Sequence, residues 1–239
     1  MTEPAIDEDG VDFEQLYQGN LGVGPHMPWD IGAPQPLVVE LEDAGEIGQD
    51  VLDVGCGLGD NAIFLASRGH RVTGVDGAPT AIRQARERAV AQGVEVEFAV
   101  AEATRLDGFE NRFDTVVDSA LYHCLNEPAR NDYLAALVRA TKPGARLHLF
   151  CFSDELPDSF PSPFLFSEAG LRETIGKSWT ITRLRPAVYA SATTAADLLA
   201  TNETGALSQP IDPEALAGLG VDERGNLQLP VWQLTAVRP

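Results

Sequence analysis

The sequence predicts an α/β fold, a parallel sheet with helices on both faces, and two observations carry that expectation. From Asp50 to Phe152 a strand, a turn and a helix follow one another repeatedly, and right-handed crossovers between parallel strands place such helices on both faces of a sheet. The chain has 239 residues, 44% of them hydrophobic, which suffices for one well-filled core and excludes disorder as the dominant state. Sheets of this kind bind ligands at the carboxyl ends of their strands.

The first strand is the apolar run Val51-Leu52-Asp53-Val54, which ends at a glycine cluster. An Ala/Ile/Leu helix pattern follows from Asn61 to Ser67, and Gly69 stops it. Arg71 to Asp76 reads as the second strand. Pro79, at a first helical position, opens a helix whose Ile82, Ala85 and Ala89 share one face until Gly93. Val94 to Val100 is a third strand and Phe113 to Val117 a buried fourth. A helix from Ala129 to Thr141 leads through the Pro143-Gly144 turn to a fifth strand, Arg146 to Phe152. Beyond residue 152 the rhythm changes. Phe152 to Phe166 carries three prolines and three further phenylalanines, Ser167 caps a short helix to Gly176, and Trp179 to Tyr189 forms a strand. A last strand, Leu227 to Val237, lies nearly forty residues further on, and a connection of that length is a lid, a substrate wall or a disordered segment.

Seventeen Lys and Arg against 36 Asp and Glu give a formal net charge of −19. Such a field repels phosphate backbones and anionic lipid, so nucleic acid and membrane surfaces are poor partners. Residues 1–50 hold twelve of the acidic residues and no Lys or Arg, which concentrates the excess in the N-terminal segment. No apolar run approaches the roughly 18 residues of a membrane helix, and the start lacks the basic and apolar stretches of a leader. The expectation is a soluble cytoplasmic protein, a monomer or a weak homodimer. Cys56, Cys124 and Cys151 are far apart and without CxxC spacing, which predicts free thiols and no metal site.

The loop Asp53-Val-Gly55-Cys56-Gly57-Leu-Gly59-Asp-Asn61 sits where the first strand turns into the first helix. Glycines there let a ligand lie against backbone N–H groups at a helix N-terminus. The spacing is GxGxG, not GxGxxG. Asp76 closes the second strand, where a carboxylate can accept both hydroxyls of a ribose. That geometry serves NAD and S-adenosylmethionine alike. Further marks are Ala101-Glu102-Ala103 after the third strand, Phe113-Asp114-Thr-Val-Val-Asp118 in the fourth, and Lys142-Pro143-Gly144 before the fifth.

In order and spacing these motifs resemble the class I S-adenosylmethionine-dependent methyltransferases across residues 50–152. The resemblance implies a Rossmann-like, doubly wound, mainly parallel sheet ending in a C-terminal antiparallel hairpin. It implies one domain over 1–239, with an acidic lid segment over 1–36, a cofactor-binding core over 50–152, and substrate-side elements over 153–239. It also assigns roles. Gly55, Cys56 and Gly57, with Gly59 behind them and Asn61 opening the helix, line the methionine portion of the cofactor; Asp53 orients the loop or the ligand's ammonium. Asp76 holds the ribose with space left by Gly77, Ala101, Glu102 and Ala103 flank the adenine, and Ser119 ends the fourth strand beside the site. Relatives more often carry Asp at the Glu102 position.

The segment Pro28-Trp29-Asp-Ile31-Gly32-Ala-Pro34-Gln35-Pro36 is similar to one in thiopurine methyltransferase-like proteins, where a tryptophan helps close the cofactor site. With Arg112 to His123 it is especially similar to the heterocyclic toxin methyltransferases of actinobacteria. That resemblance implies methyl transfer to oxygen or nitrogen of a small aromatic or heterocyclic acceptor, as detoxification, with S-adenosyl-L-homocysteine as product. Tyr122, His123 and Phe152 are its candidate acceptor pocket, and His123, as a histidine of near-neutral pKa, its candidate general base. His26, His70 and His148 read as ordinary surface or loop histidines. An NAD(P)-dependent oxidoreductase and a non-catalytic S-adenosylmethionine-binding regulator stand as alternatives.

Overall fold

The computed structural model describes residues 12–19, 27–160, 162, 164–203 and 211–239. The acidic start of the expected lid, His26 and part of the late connection lie outside the described residues. Two short helices precede the sheet, α1 (Phe13–Tyr17) and α2 (Pro36–Asp43). The Asp12 side chain caps α1 by accepting from the Gln15 amide, and Pro36 opens α2. Then follow β1 (Asp50–Val54), α3 (Asp60–Ser67), β2 (Arg71–Asp76), α4 (Pro79–Gln92), β3 (Glu97–Val100), β4 (Phe113–Ser119) and a 3-10 turn at Tyr122–Cys124. The chain continues through α5 (Glu127–Ala140), β5 (Thr141–Phe152), α6 (Glu168–Ile175), β6 (Thr180–Thr194), α7 (Ala195–Glu203), α8 (Pro213–Ala217), β7 (Gly220–Val221) and β8 (Asn226–Val237).

The strands lie in the order β3-β2-β1-β4-β5-β8-β6, with β7 beside β8. β1 to β5 pair in parallel, whereas β8 runs antiparallel between β5 and β6. This is the doubly wound sheet with a C-terminal antiparallel pair that the motifs imply. Because strand residues alternate between faces, Val51, Val72, Val117 and Phe150 pack in one core cluster with Leu37, Ile63 and Ile82 of α2, α3 and α4. Leu52, Val54, Val116, Leu147 and Leu149 pack in the other with Tyr133, Leu137 and Leu171 of α5 and α6. Strand order reverses between β1 and β4, and the crevice opened there at the strands' carboxyl ends is the natural ligand site.

Several boundaries differ from expectation for local reasons. Asn126 accepts from the Ala129 amide, so α5 starts at Glu127 and not at Ala129. β5 begins at Thr141, ahead of the Lys-Pro-Gly turn. Thr141 already pairs with Phe113, and the chain absorbs the turn as a register shift with Gly144 at φ +79°. The late connection is not bare loop, since α7, α8 and β7 fold within it and bury Leu198, Ile211 and Leu216. His148 is no surface residue. Fully buried on β5, it lies between the Thr235 hydroxyl and the Glu46 carbonyl, and burial pulls its imidazole down to about 4. His70 is also engaged, with the Gly48 carbonyl at 2.6 Å and the Glu42 carboxylate at 2.7 Å.

Candidate active site

A cavity of about 500 Å³ occupies the crevice. Its floor is the turn from β1 into α3, lined by Gly55, Cys56, Gly57 and Gly59. Gly57 has φ +52°, and a Cβ there would lie 2.8 Å from the Tyr17 hydroxyl, so only glycine fits beneath that side chain. Gly59 is bare for a different reason. A Cβ there would lie 2.7 Å from the Phe98 ring, so this glycine serves the packing of α3 against the sheet. Burial pushes the Cys56 thiol up, which leaves it protonated and unreactive.

Asp76 braces the loop it faces. One carboxylate oxygen accepts from the Gly57 amide at 2.9 Å and the other from the Ala78 amide at 2.8 Å, and burial raises its pKa. Each oxygen keeps further acceptor capacity, and beside it a Cβ on Gly77 would meet nothing within 4 Å. Ala101, Glu102 and Ala103 continue the wall past β3. Asp53 lies under the loop and does not line the cavity. Burial lifts it to about 7, opposed by the Ala62 amide and reinforced by Asp118 and Asp76, and its Oδ2 has no hydrogen-bond partner among the described residues.

The N-terminal segment roofs this floor. Trp29 lines the cavity, donates its indole N–H to the Tyr17 hydroxyl at 3.1 Å, and packs against Phe13 and Tyr17. Three sets of polar contacts hold the roof down. Glu14 accepts from the amide and hydroxyl of Thr80, capping α4, whose own cap residue Ala78 offers no side-chain acceptor. Arg88 bridges Asp30 and Asp60. Gln35 donates its backbone amide to Asn61 and its side-chain amide to the Ala190 carbonyl.

The far half of the cavity is aromatic. Phe152 stacks on His123 with ring centroids 4.0 Å apart and 17° between planes, and Phe160 meets Phe152 edge-on. Leu198 and Leu229 complete the wall. The Ser119 hydroxyl lies 3.0 Å from the Tyr189 hydroxyl. His123 is 5% exposed with Nδ1 unpartnered among the described residues, and burial pulls its imidazole down to about 3. The near-neutral pKa on which the general-base expectation rested is therefore corrected: burial keeps the ring neutral and makes it a weaker base than a free imidazole. Tyr122 needs correction as well. It does not line the cavity, because the 3-10 turn sends it to the other side, fully buried against Tyr133 and Phe166.

Comparison with known proteins adds a second line. The methyltransferase-domain family matches residues 51–144. The chain is 39% identical over 184 residues to the 2-heptyl-1-hydroxyquinolin-4(1H)-one methyltransferase of Mycobacteroides abscessus, covering 75% of this chain and 81% of that protein. The chain belongs to the S-adenosylmethionine-dependent methyltransferases. A structure solved in a study of the conversion of a disulfide bond into a thioacetal group during echinomycin biosynthesis superposes with a TM-score of 0.75 at 34% identity, covering 95% of this chain and 91% of that one. The Burkholderia thailandensis 1,6-didemethyltoxoflavin-N1-methyltransferase, solved with S-adenosylhomocysteine, shares the fold with a TM-score of 0.57 at 21% identity, covering 85% and 76%.

The methyltransferase cofactor fits the residues present. The bare backbone of Gly57 beneath the Tyr17 hydroxyl, the free volume at Gly77 and the acceptor capacity of Asp76 suit its backbone-hugging and ribose portions. Asp53, buried under the loop with Oδ2 unpartnered among the described residues, would when ionised place a negative charge beneath it, which suits an ammonium above. Sequence reasoning missed Tyr17, Gln35, Tyr189 and Leu198, all on the cavity wall. Pro36 at a helix start with Leu37, Val38 and Leu41 on one face was a legible signal for α2, and hence for Gln35 at its cap. Tyr189 had no such signal, because its hydroxyl partner Ser119 lies 70 residues away.

Proposed function

We propose that this methyltransferase acts on oxygen or nitrogen of a small planar aromatic or heterocyclic molecule. The observation that carries the reading is the aromatic slot at the ends of β4 and β5, where His123, Phe152, Phe160 and Tyr189 line an apolar chamber continuous with the glycine loop. A slot of this kind favours flat rings and leaves few polar groups to fix their orientation. The mycobacterial relative is named for a hydroxylated heterocycle, which supports the same class, as does the likeness to heterocyclic toxin methyltransferases. Capping an acidic hydroxyl removes a titratable group from the acceptor, the chemistry expected of detoxification.

When bound, S-adenosylmethionine supplies a methyl on a sulfonium leaving group, so the chain's own work is alignment and exclusion of water. Trp29 and α1 cover one side of the chamber and Phe152 and Phe160 the other. Neutral His123 orients the acceptor through a ring nitrogen. Acidic hydroxyheterocycles arrive already ionised, so no strong base is needed.

Methyl transfer to a panel of hydroxyquinolones, phenols, N-heterocycles and aliphatic thiols tests this. Hydroxylated heterocycles are expected to turn over fastest. Turnover of thiols or aliphatic acceptors with none of planar rings would overturn the acceptor class. No turnover across the panel, with intact S-adenosylhomocysteine binding, would favour a binding role without catalysis.

A further inference from the structure

Behind the acceptor slot lies a buried polar cluster that the reading above leaves unused. Asp118 ends the buried part of β4 with no exposed surface. Its Oδ1 accepts from the Leu121 amide at 2.9 Å and the Tyr122 amide at 3.2 Å. Its Oδ2 accepts from the Tyr133 hydroxyl of α5 at 2.8 Å. Between carboxylate and turn stands Ala120 at φ +79°, a left-handed conformation that is strained for a non-glycine residue. The chain therefore doubles back sharply after Ser119, and the two amides brought round by that reversal are the ones Asp118 takes up. The next residue is His123.

We propose that Asp118, clamped by Tyr133, is a positioning residue that holds the strained Ala120–Tyr122 reversal and so aims His123 at the acceptor. The proposal rests on the reading of His123 as a group that meets the acceptor. Asp118 does not touch the cavity and acts only through the turn. A carboxylate suits this role because one oxygen can take two amides at once while the other is anchored from a separate helix. The charge is costly in this setting, since desolvation lifts Asp118 to about 6 against the hydrogen bonds from Tyr133, Leu121 and Tyr122. Facing it are Asp53 on β1, Tyr122 on the turn, Tyr133 on α5, Cys151 on β5 and Tyr189 on β6, with the Arg130 guanidinium near Tyr122. Among these, Tyr133 donates its hydroxyl to the carboxylate. Protonation of Asp118 weakens its hold on both amides, whereas His123, already neutral, has no proton to lose near pH 6.

The test uses the full chain with 2-heptyl-1-hydroxyquinolin-4(1H)-one as probe acceptor, steady-state kinetics from pH 5 to 8, and histidine-labelled NMR with the His123 resonance assigned by its loss in His123→Gln. Asp118→Ala is expected to lower kcat roughly 10- to 100-fold, the scale of a misaimed group, to shift the His123 resonance, and to leave S-adenosylhomocysteine affinity within about twofold. Asp118→Asn keeps an oxygen for the two amides, so it is expected to restore most of kcat and to lose the acid limb near pH 6 seen in the wild type. The acceptor's own ionisation is common to both proteins and cancels in that comparison. Tyr133→Phe, a mild change that guards against misfolding of the alanine variant, removes a bond that holds the carboxylate's pKa down and is expected to move the limb to higher pH. An acid limb that persists unchanged in Asp118→Asn and Tyr133→Phe, or an unmoved His123 resonance in Asp118→Ala, overturns the clamp. A shifted resonance with unchanged turnover overturns the proposal through its other premise, that His123 meets the acceptor.

Discussion

The two halves of the cavity are made by different means. The floor, where we place the cofactor, is backbone and short side chains from one continuous stretch, Asp53 to Ala103, held by hydrogen bonds such as those from Gly57 and Ala78 to Asp76. The aromatic half is assembled from Ser119, His123, Phe152, Phe160, Tyr189, Leu198 and Leu229, side chains from five separated segments that meet only when β8 slides between β5 and β6. A ligand shared by a whole family demands fixed backbone geometry, whereas a variable acceptor demands only shape and an apolar lining. The first requirement leaves spacing in a sequence; the second leaves composition.

If that contrast holds, damage to the floor removes cofactor binding outright and damage to the slot changes turnover alone. The largest effect is expected at Gly57. Arginine there would need a left-handed backbone and would project into the space below the Tyr17 hydroxyl. Gly57→Arg should abolish S-adenosylhomocysteine binding by calorimetry while the melting transition stays cooperative. Retained affinity would mean that the cofactor does not lie on this loop. Asp76→Ala comes next, with a loss of about 1.5–3 kcal/mol in binding, the scale of charge-assisted hydrogen bonds. Part of that loss comes from the loop itself, because the Gly57 and Ala78 amides lose their acceptor. The same measurement reads it, and an unchanged dissociation constant would remove Asp76 from the site.

The same contrast explains what the sequence made legible. Gly55, Gly57, Asp76 and the alanines flanking Glu102 fall on the cavity wall as expected, since a turn between a strand and a helix can be read from a few adjacent residues. Asp53 was legible as part of the motif, but its burial under the loop depends on neighbours in β4. Tyr122 was misassigned because adjacent residues of a 3-10 turn point to opposite sides, and no local pattern says which side is the cavity. His123 was found, yet its chemistry was not, because the pKa of a histidine is set by what buries it, here Phe152 and the surrounding apolar wall. Tyr17 and Tyr189 depend wholly on contacts across the fold.

A smaller effect is expected from His123→Ala, which should leave cofactor affinity intact and lower turnover about tenfold through lost orientation. With an imidazole held near 3, the loss should be equal for weakly acidic phenols and for hydroxyheterocycles already ionised at the assay pH. Kinetics on one acceptor of each kind decide this. A loss of roughly 10²-fold or more confined to the weakly acidic acceptor would restore the role of general base.

The smallest effect concerns Asp53, the part of the floor that the ligand does not touch through the open wall. Its carboxyl is raised from an ordinary 3.8 to about 7, so between those values the folded protein holds a proton that the unfolded chain has released. By linkage the contribution of Asp53 to folding stability falls as pH climbs through this window, and the neutral acid is the form that tolerates burial. A ligand ammonium seated above the unpartnered Oδ2 favours the carboxylate, so binding expels that proton. Affinity for S-adenosylhomocysteine should then rise between pH 5.5 and 7, by at most about tenfold per pH unit, and level off above 7. Asp53→Asn keeps the shape and an acceptor for the Ala62 amide but has no proton to release, so its affinity should be flat over the same range. Calorimetry in two buffers of different ionisation enthalpy counts the proton directly. Equal pH slopes and equal proton release in both proteins would show that Asp53 orients the loop without sensing the ligand's charge.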